Sequence, residues 1–124
     1  HPLTGCGFKC IYVVSKDYPD PTGYIQNLRG MHNNFVQLAV DTGVFGLGSW
    51  ISIWVMYFVN VYRQLKTRDG DSSFKPDSMG SAAAAVGFLV AGIFETNFYD
   101  AEVSMLMYFI MALPFTGDKT KVFR

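Results

Sequence analysis

The sequence predicts an all-α integral membrane fold: about three transmembrane helices, with an extracytoplasmic loop that carries a short helix. Three observations lead there. Half of the 124 residues are hydrophobic, and they fall in long uncharged blocks instead of an amphipathic rhythm. Val44 to Tyr62 runs 19 residues without a charge, Met79 to Phe94 runs 16, and Val103 to Phe115 runs 13. At about 1.5 Å per residue, the first nearly crosses a hydrocarbon core about 30 Å thick. The second needs a few polar flanking residues, and the third must draw on Asn97 to Glu102. The net charge is zero, but the basic residues cluster. Arg63, Lys66, Arg68 and Lys75 separate the first two blocks; Lys119, Lys121 and Arg124 follow the third. The positive-inside rule places those two regions in the cytoplasm. Residues 1–43 and the 95–102 hairpin then face outward, which needs an odd number of spans; three satisfies it.

The expected division is an extracytoplasmic loop with a short helix at 1–43, a transmembrane helix at 44–64 and a cytoplasmic loop at 65–78. A second transmembrane helix follows at 79–96, an outward hairpin and last transmembrane helix at 97–116, and a cytoplasmic tail at 117–124. Residues 1–30 are rich in Gly, Pro, Asp and Tyr, which is turn chemistry, and Cys10 to Val14 reads as a strand or a helical turn. Cys6 and Cys10 lie on the outward side, where oxidation is permitted. They could form a short-loop disulfide, ligate a metal or remain two thiols. Asn34 with Gln37 resembles a capping box and starts a short helix through about Thr42. Gly43, Gly46 and Gly48 then allow a bend and close helix approach.

In the first block, Trp50 and Trp54 lie deep and read as packing residues, while Tyr62 and Arg63 suit the inner interface. The polar stretch Thr67 to Ser78 reads as a mobile loop. Gly80, Ser81 to Ala85, Gly87 and Gly92 make the second helix thin, suited to burial among other helices. Met105, Met107, Tyr108, Phe109 and Met111 read as helix packing. His1-Pro2-Leu3 reads as the middle of a longer chain, whose remaining transmembrane helices are expected partners.

Several chemistries lack their signatures. There is no basic stripe with interleaved aromatics for nucleic acid, and no P-loop, Rossmann glycine pattern or Ser/His/Asp arrangement. No cofactor or metal is expected. What remains is a titratable imidazole, His32, where a polar segment enters the bilayer. An imidazole ordinarily titrates near pH 6.5, so it can accept a proton at neutral pH. Arg29 offers a planar fork suited to phosphate oxygens, and the free amides of the helix opening near Asn34 could stabilise an anion. Asp41 is nine residues from His32, which at about 100° per residue puts the two on opposite helix faces. A direct dyad is not expected; Asp41 instead closes the short helix or meets another element. Glu95, Asp100 and Glu102 share the outward hairpin with the His32 side, and one of them is expected to hydrogen-bond the imidazole or pair an arginine, because ionisable groups at membrane depth tend to be paired or functional. Asn97 is a further polar contact, and Lys9, Lys16 and Tyr24 could touch sugar or phosphate.

The order Gly5-x-Gly7-Phe8, a polar loop, H-N-N-F-V-Q-L-A-V-D-T-G (His32 to Gly43), G-L-G, and A-G-I-F-E-T-N-F-Y-D-A-E-V (Ala91 to Val103) resembles the O-antigen ligase family. More broadly it is similar to bacterial ligases and polymerases of undecaprenyl-diphosphate-linked glycans. The resemblance covers nearly the whole chain, but only the C-terminal part of a typical member. It implies a metal-independent glycosyltransferase in the bacterial inner membrane, multi-pass, with its active loop facing the periplasm. The donor would be a lipid-linked glycan and the acceptor lipid A–core, as in lipopolysaccharide biosynthesis. His32 would act on the acceptor hydroxyl, with Arg29, Asn33, Glu95, Asp100 and Glu102 as the substrate-binding candidates. The alternatives are a polysaccharide polymerase or protein glycan ligase and, in a different class, a non-catalytic transport or assembly segment.

Overall fold

The computed structural model describes residues 1–27, 30–66 and 76–116. Among these the secondary structure is helical, with no strand. The helices are α1 (Cys10–Val14), α2 (Asn34–Lys66), α3 (Pro76–Phe94) and α4 (Ala101–Thr116), with short 3₁₀ turns at Ser15–Asp17 and Ile25–Asn27. The segment Cys10 to Val14, open between strand and helix in the sequence, is helix α1. The expected cytoplasmic tail at 117–124 and most of the 65–78 loop, with Arg68, Lys75, Lys119, Lys121 and Arg124, lie outside the described residues.

Helix α2 joins what the sequence divides into a short helix and a span. The break falls at Gly43 alone, whose φ of 69° and ψ of −171° leave the helical region, while Gly46 and Gly48 stay helical. The N-terminal segment fills that break. The Cys6 and Gly7 N–H groups donate to the Val40 and Asp41 carbonyls at 2.9 and 3.0 Å, and the Val44 N–H donates to the Pro2 carbonyl at 3.0 Å. Backbone groups that a broken helix leaves without partners are thus satisfied by residues 2–7. The approach is close enough to require glycine: a Cβ on Gly43 would lie 2.3 Å from the Leu3 carbonyl oxygen, and one on Gly5 would lie 2.3 Å from that of Asp41. A disulfide between Cys6 and Cys10, with Cα atoms 5.6 Å apart, ties this strap to α1.

Helix α3 begins at Pro76, three residues before the uncharged block and inside the stretch read as loop. Proline at a first helical position donates no N–H where none is needed, and Asp77 in the first turn suits the positive helix end. Helix α3 packs against both α2 and α4. Its buried face is Ser78, Ser81, Ala85, Phe88 and Gly92, a spacing of three and four residues that forms one stripe. Small side chains there let the neighbours come close. A polar relay crosses the interior: the Tyr57 hydroxyl donates to Ser81 Oγ at 2.5 Å, and Ser81 Oγ donates to the Ile110 carbonyl at 2.7 Å. Trp50 and Trp54, each 4% exposed, sit in the core as expected, with Phe88 stacked on Trp54 at 5.5 Å. From the α4 group only Met107 and Met111 pack inward; Met105 and Phe109 are exposed.

Helices α2 and α3 are long and apolar enough to cross a membrane, by length and composition. Helix α4, 16 residues, is shorter. Their outer surface carries Val55, Met56, Val86, Val90, Leu106 and Phe109, all at least half exposed. Such an apolar coat calls for lipid or further protein around it.

Candidate functional site

The beginning of α2, the end of α3 and the hairpin leading to α4 meet at one end of the helices, and asparagines tie them together. Asn33, rather than Asn34, caps α2: its Oδ1 accepts the Val36 N–H at 3.0 Å and its carbonyl accepts that of Gln37 at 2.9 Å. Its Nδ2 donates to the Ile93 carbonyl at 2.9 Å, fastening the cap to the last turn of α3. Asn34 is fully buried. Its Nδ2 donates to Asn97 Oδ1 and its Oδ1 accepts the Phe98 N–H at 3.0 Å, so its amide plane fixes the hairpin. Gly92 makes room for it, since a Cβ there would stand 2.3 Å from Asn34 Nδ2. Gln37 does reach back as a capping-box residue would, but to the Met31 N–H at 2.9 Å.

This arrangement sets His32 beside Glu95. His32 adopts φ 47°, a left-handed conformation uncommon outside glycine, immediately before the cap. Its Nδ1 lies 3.2 and 3.4 Å from the two Glu95 oxygens. Both side chains are exposed, 72% and 66%, so solvent and a ligand can reach them. Glu95 also accepts the Thr96 N–H at 3.0 Å. That amide first, and the imidazole second, hold the Glu95 carboxyl below its ordinary range. Glu95 therefore stays an anion that accepts from the imidazole. The tautomer protonated at Nδ1 is the one that donates to it, and it keeps a lone pair on Nε2.

The other candidates divide. Asp100 is the cap of α4, its Oδ1 accepting the Glu102 and Val103 N–H groups at 3.1 and 3.4 Å, and it makes no contact with His32. Glu102 stands exposed in the first turn of α4. Asn33 and Asn97 are occupied in fastening the helices, Asn97 Nδ2 donating to the Phe88 carbonyl at 3.3 Å. Arg29 lies outside the described residues. Lys16 covers the Tyr12 ring at 4.3 Å and Lys9 stands 5.7 Å from the Phe8 ring centre, while Tyr24 is exposed. Among the described residues no three His, Cys, Asp or Glu side chains gather to hold a metal ion.

A second polar group forms around Asp41, which meets another element as expected, although its partner Tyr99 was not indicated by the sequence. Asp41, 3% exposed, is not a partner of His32; its Oδ2 accepts from Gln37 Nε2 at 2.9 Å and from the Tyr99 hydroxyl at 2.8 Å. Burial, and then the neighbouring carboxylate, push the Tyr99 phenol up, so it remains a donor. The only signal in the sequence was a carboxylate placed in an otherwise apolar helical run. Comparison with known proteins finds no matching family model, no matching curated protein and no matching solved structure.

Proposed function

We propose that the chain forms the C-terminal part of a membrane glycosyltransferase, which moves O-antigen glycan from undecaprenyl diphosphate to lipid A–core on the periplasmic face of the bacterial inner membrane. One observation carries the proposal: an exposed imidazole just before α2, oriented by a carboxylate just past the end of α3, stands at the polar end of two membrane-length helices. Attack by a sugar hydroxyl on a glycosyl diphosphate needs a base at the nucleophile and positive charge at the leaving group. His32 Nε2 takes the hydroxyl proton while Glu95 steadies the imidazolium that forms. The diphosphate falls to cations, for which Arg29 is the candidate in this chain. The resemblance of His32 to Gly43 and of Ala91 to Val103 to the O-antigen ligase family favours this transfer over others.

Placement on the oxidising side of the membrane fits the Cys6–Cys10 disulfide in the same loop region. Three spans, with α4 the shortest, would put residues 1–43 and the hairpin on that side and the basic residues inside. The test is His32→Ala in the full-length protein, expressed in cells lacking the native activity. Removal of a general base should lower glycan transfer by about 10²–10⁴-fold at normal expression. Full transfer by that variant would refute the catalytic reading and leave a transport or assembly segment. The product separates the related activities: capped core marks a ligase, longer free lipid-linked chains a polymerase, and glycosylated protein a protein ligase.

A further inference from the structure

His32 stands beside Glu95 on an unusual stretch of backbone. Its φ of 47° lies in the left-handed region, which a residue with a side chain keeps only where surrounding bonds over-determine it. One residue supplies such bonds on both sides of it. The Gln37 side chain reaches back so that its Oε1 accepts the Met31 N–H at 2.9 Å, and the Gln37 main-chain N–H donates to the Asn33 carbonyl at 2.9 Å. Gln37 is buried, so water competes little for the Met31 bond. The geometry points to Gln37, locked in place by buried Asp41, as a positioning residue for His32: it sets the turn that brings the imidazole Nδ1 to Glu95 and keeps the lone pair on Nε2.

The lock follows from donors and acceptors. Asp41 Oδ2 takes two hydrogen bonds, from Gln37 Nε2 at 2.9 Å and from the Tyr99 hydroxyl at 2.8 Å. Against that acceptor the Gln37 amide can present only its NH₂ group, which turns its oxygen to the Met31 N–H. The reverse orientation would set oxygen against oxygen and N–H against N–H. The chain also passes close over the amide, since a Cβ on Gly30 would stand 3.2 Å from Gln37 Oε1. Tyr99 lies in the hairpin between α3 and α4, as Glu95 does, so the same Asp41 oxygen ties the His32 turn to the stretch that carries its partner. Asp41 thereby acts on the imidazole across Gln37, although their side chains do not meet. The chain of bonds stands on geometry alone; its worth to catalysis rests on the transferase reading.

The test uses the full-length protein in lipid nanodiscs, labelled with nitrogen-15 at histidine, the His32 signals being those lost in His32→Ala. Ring nitrogen shifts of the neutral imidazole report its tautomer. In wild type the form protonated at Nδ1 should predominate, since only that form donates to Glu95. The folded Gln37→Leu and Asp41→Leu variants should revert to the Nε2-protonated form that a free imidazole prefers. Asp41→Asn, whose amide oxygen can still accept from Gln37 and Tyr99, should keep the wild-type pattern. A role confined to stability would leave the tautomer of folded variants unmoved. An unchanged tautomer in either folded leucine variant, or its loss in folded Asp41→Asn, overturns the inference. If neither leucine variant folds, hydrogen exchange at the wild-type Met31 amide decides: strong protection supports the inference, and exchange at the rate of an exposed loop amide overturns it. Glycan transfer is read separately. Gln37→Leu should lower kcat by about 10²-fold with KM little changed, the scale of a misplaced base. Transfer that needs His32 but survives Gln37→Leu sinks the positioning role alone. The tautomer shift in a protein without any transfer supports the positioning role and sinks the transferase.

Discussion

His32 and Glu95 are 63 positions apart in the chain and meet only because two asparagines hold their helix ends together. The pair is too exposed to add much stability, so its value is orientation. It leaves a titration signature. The Glu95 carboxyl carbon should titrate below its ordinary 4.5 by NMR, and in His32→Ala the midpoint should rise but stay below 4.5, because the Thr96 N–H remains. A rise to the full ordinary value would remove the role given to that amide. The sign for stability follows: a depressed carboxylate contributes at neutral pH and loses its contribution as pH falls through the depressed value. Buried Asn34 behaves differently. Asn34→Ala strands Asn97 Oδ1 and the Phe98 N–H, at about 1–3 kcal/mol for each group left unsatisfied. Chemical unfolding of wild type and variant in the same detergent measures it.

At the scale of elements, the decisive feature is the kink in α2. Gly43→Ala meets two penalties, a positive-φ extended conformation open essentially to glycine alone, which costs about 1–3 kcal/mol, and a Cβ driven against the Leu3 carbonyl. The expected outcome is a loss of more than about 2 kcal/mol in unfolding free energy, whereas Gly48→Ala, with open space around its Cβ, should be neutral or stabilising. The kink was legible as a run of glycines after Asp41; which of the three bends was not, because that depends on residues 2–7 returning to the helix. The same limit explains the capping error. Asn33 and Asn34 both satisfy the local pattern, and only the asparagine of the hairpin, Asn97, decides which side chain turns inward.

For the whole molecule, the uncharged runs mark α3 and α4 to within a few residues, and the part of α2 that follows its break, since burial in lipid or protein demands apolar length before it demands detail. The His32–Glu95 couple was foreseeable as one of three hairpin carboxylates; the Asp41–Tyr99 bond was not, because a single sequence says nothing about which loop covers a buried acid. Orientation is testable directly. Alkaline phosphatase fused after Asp100 should be active in a bacterial host, and one fused after Lys66 inactive. Activity after Lys66 would reverse the assignment and move the imidazole to the cytosol.

The strap has one practical consequence. Residues 2–7 are stitched by amide and carbonyl to both sides of the α2 break, so they belong to that helix although they precede it by a whole loop. Clipping them away would not tidy a loose end. It would unpick the seam that holds the two parts of α2 at their bend.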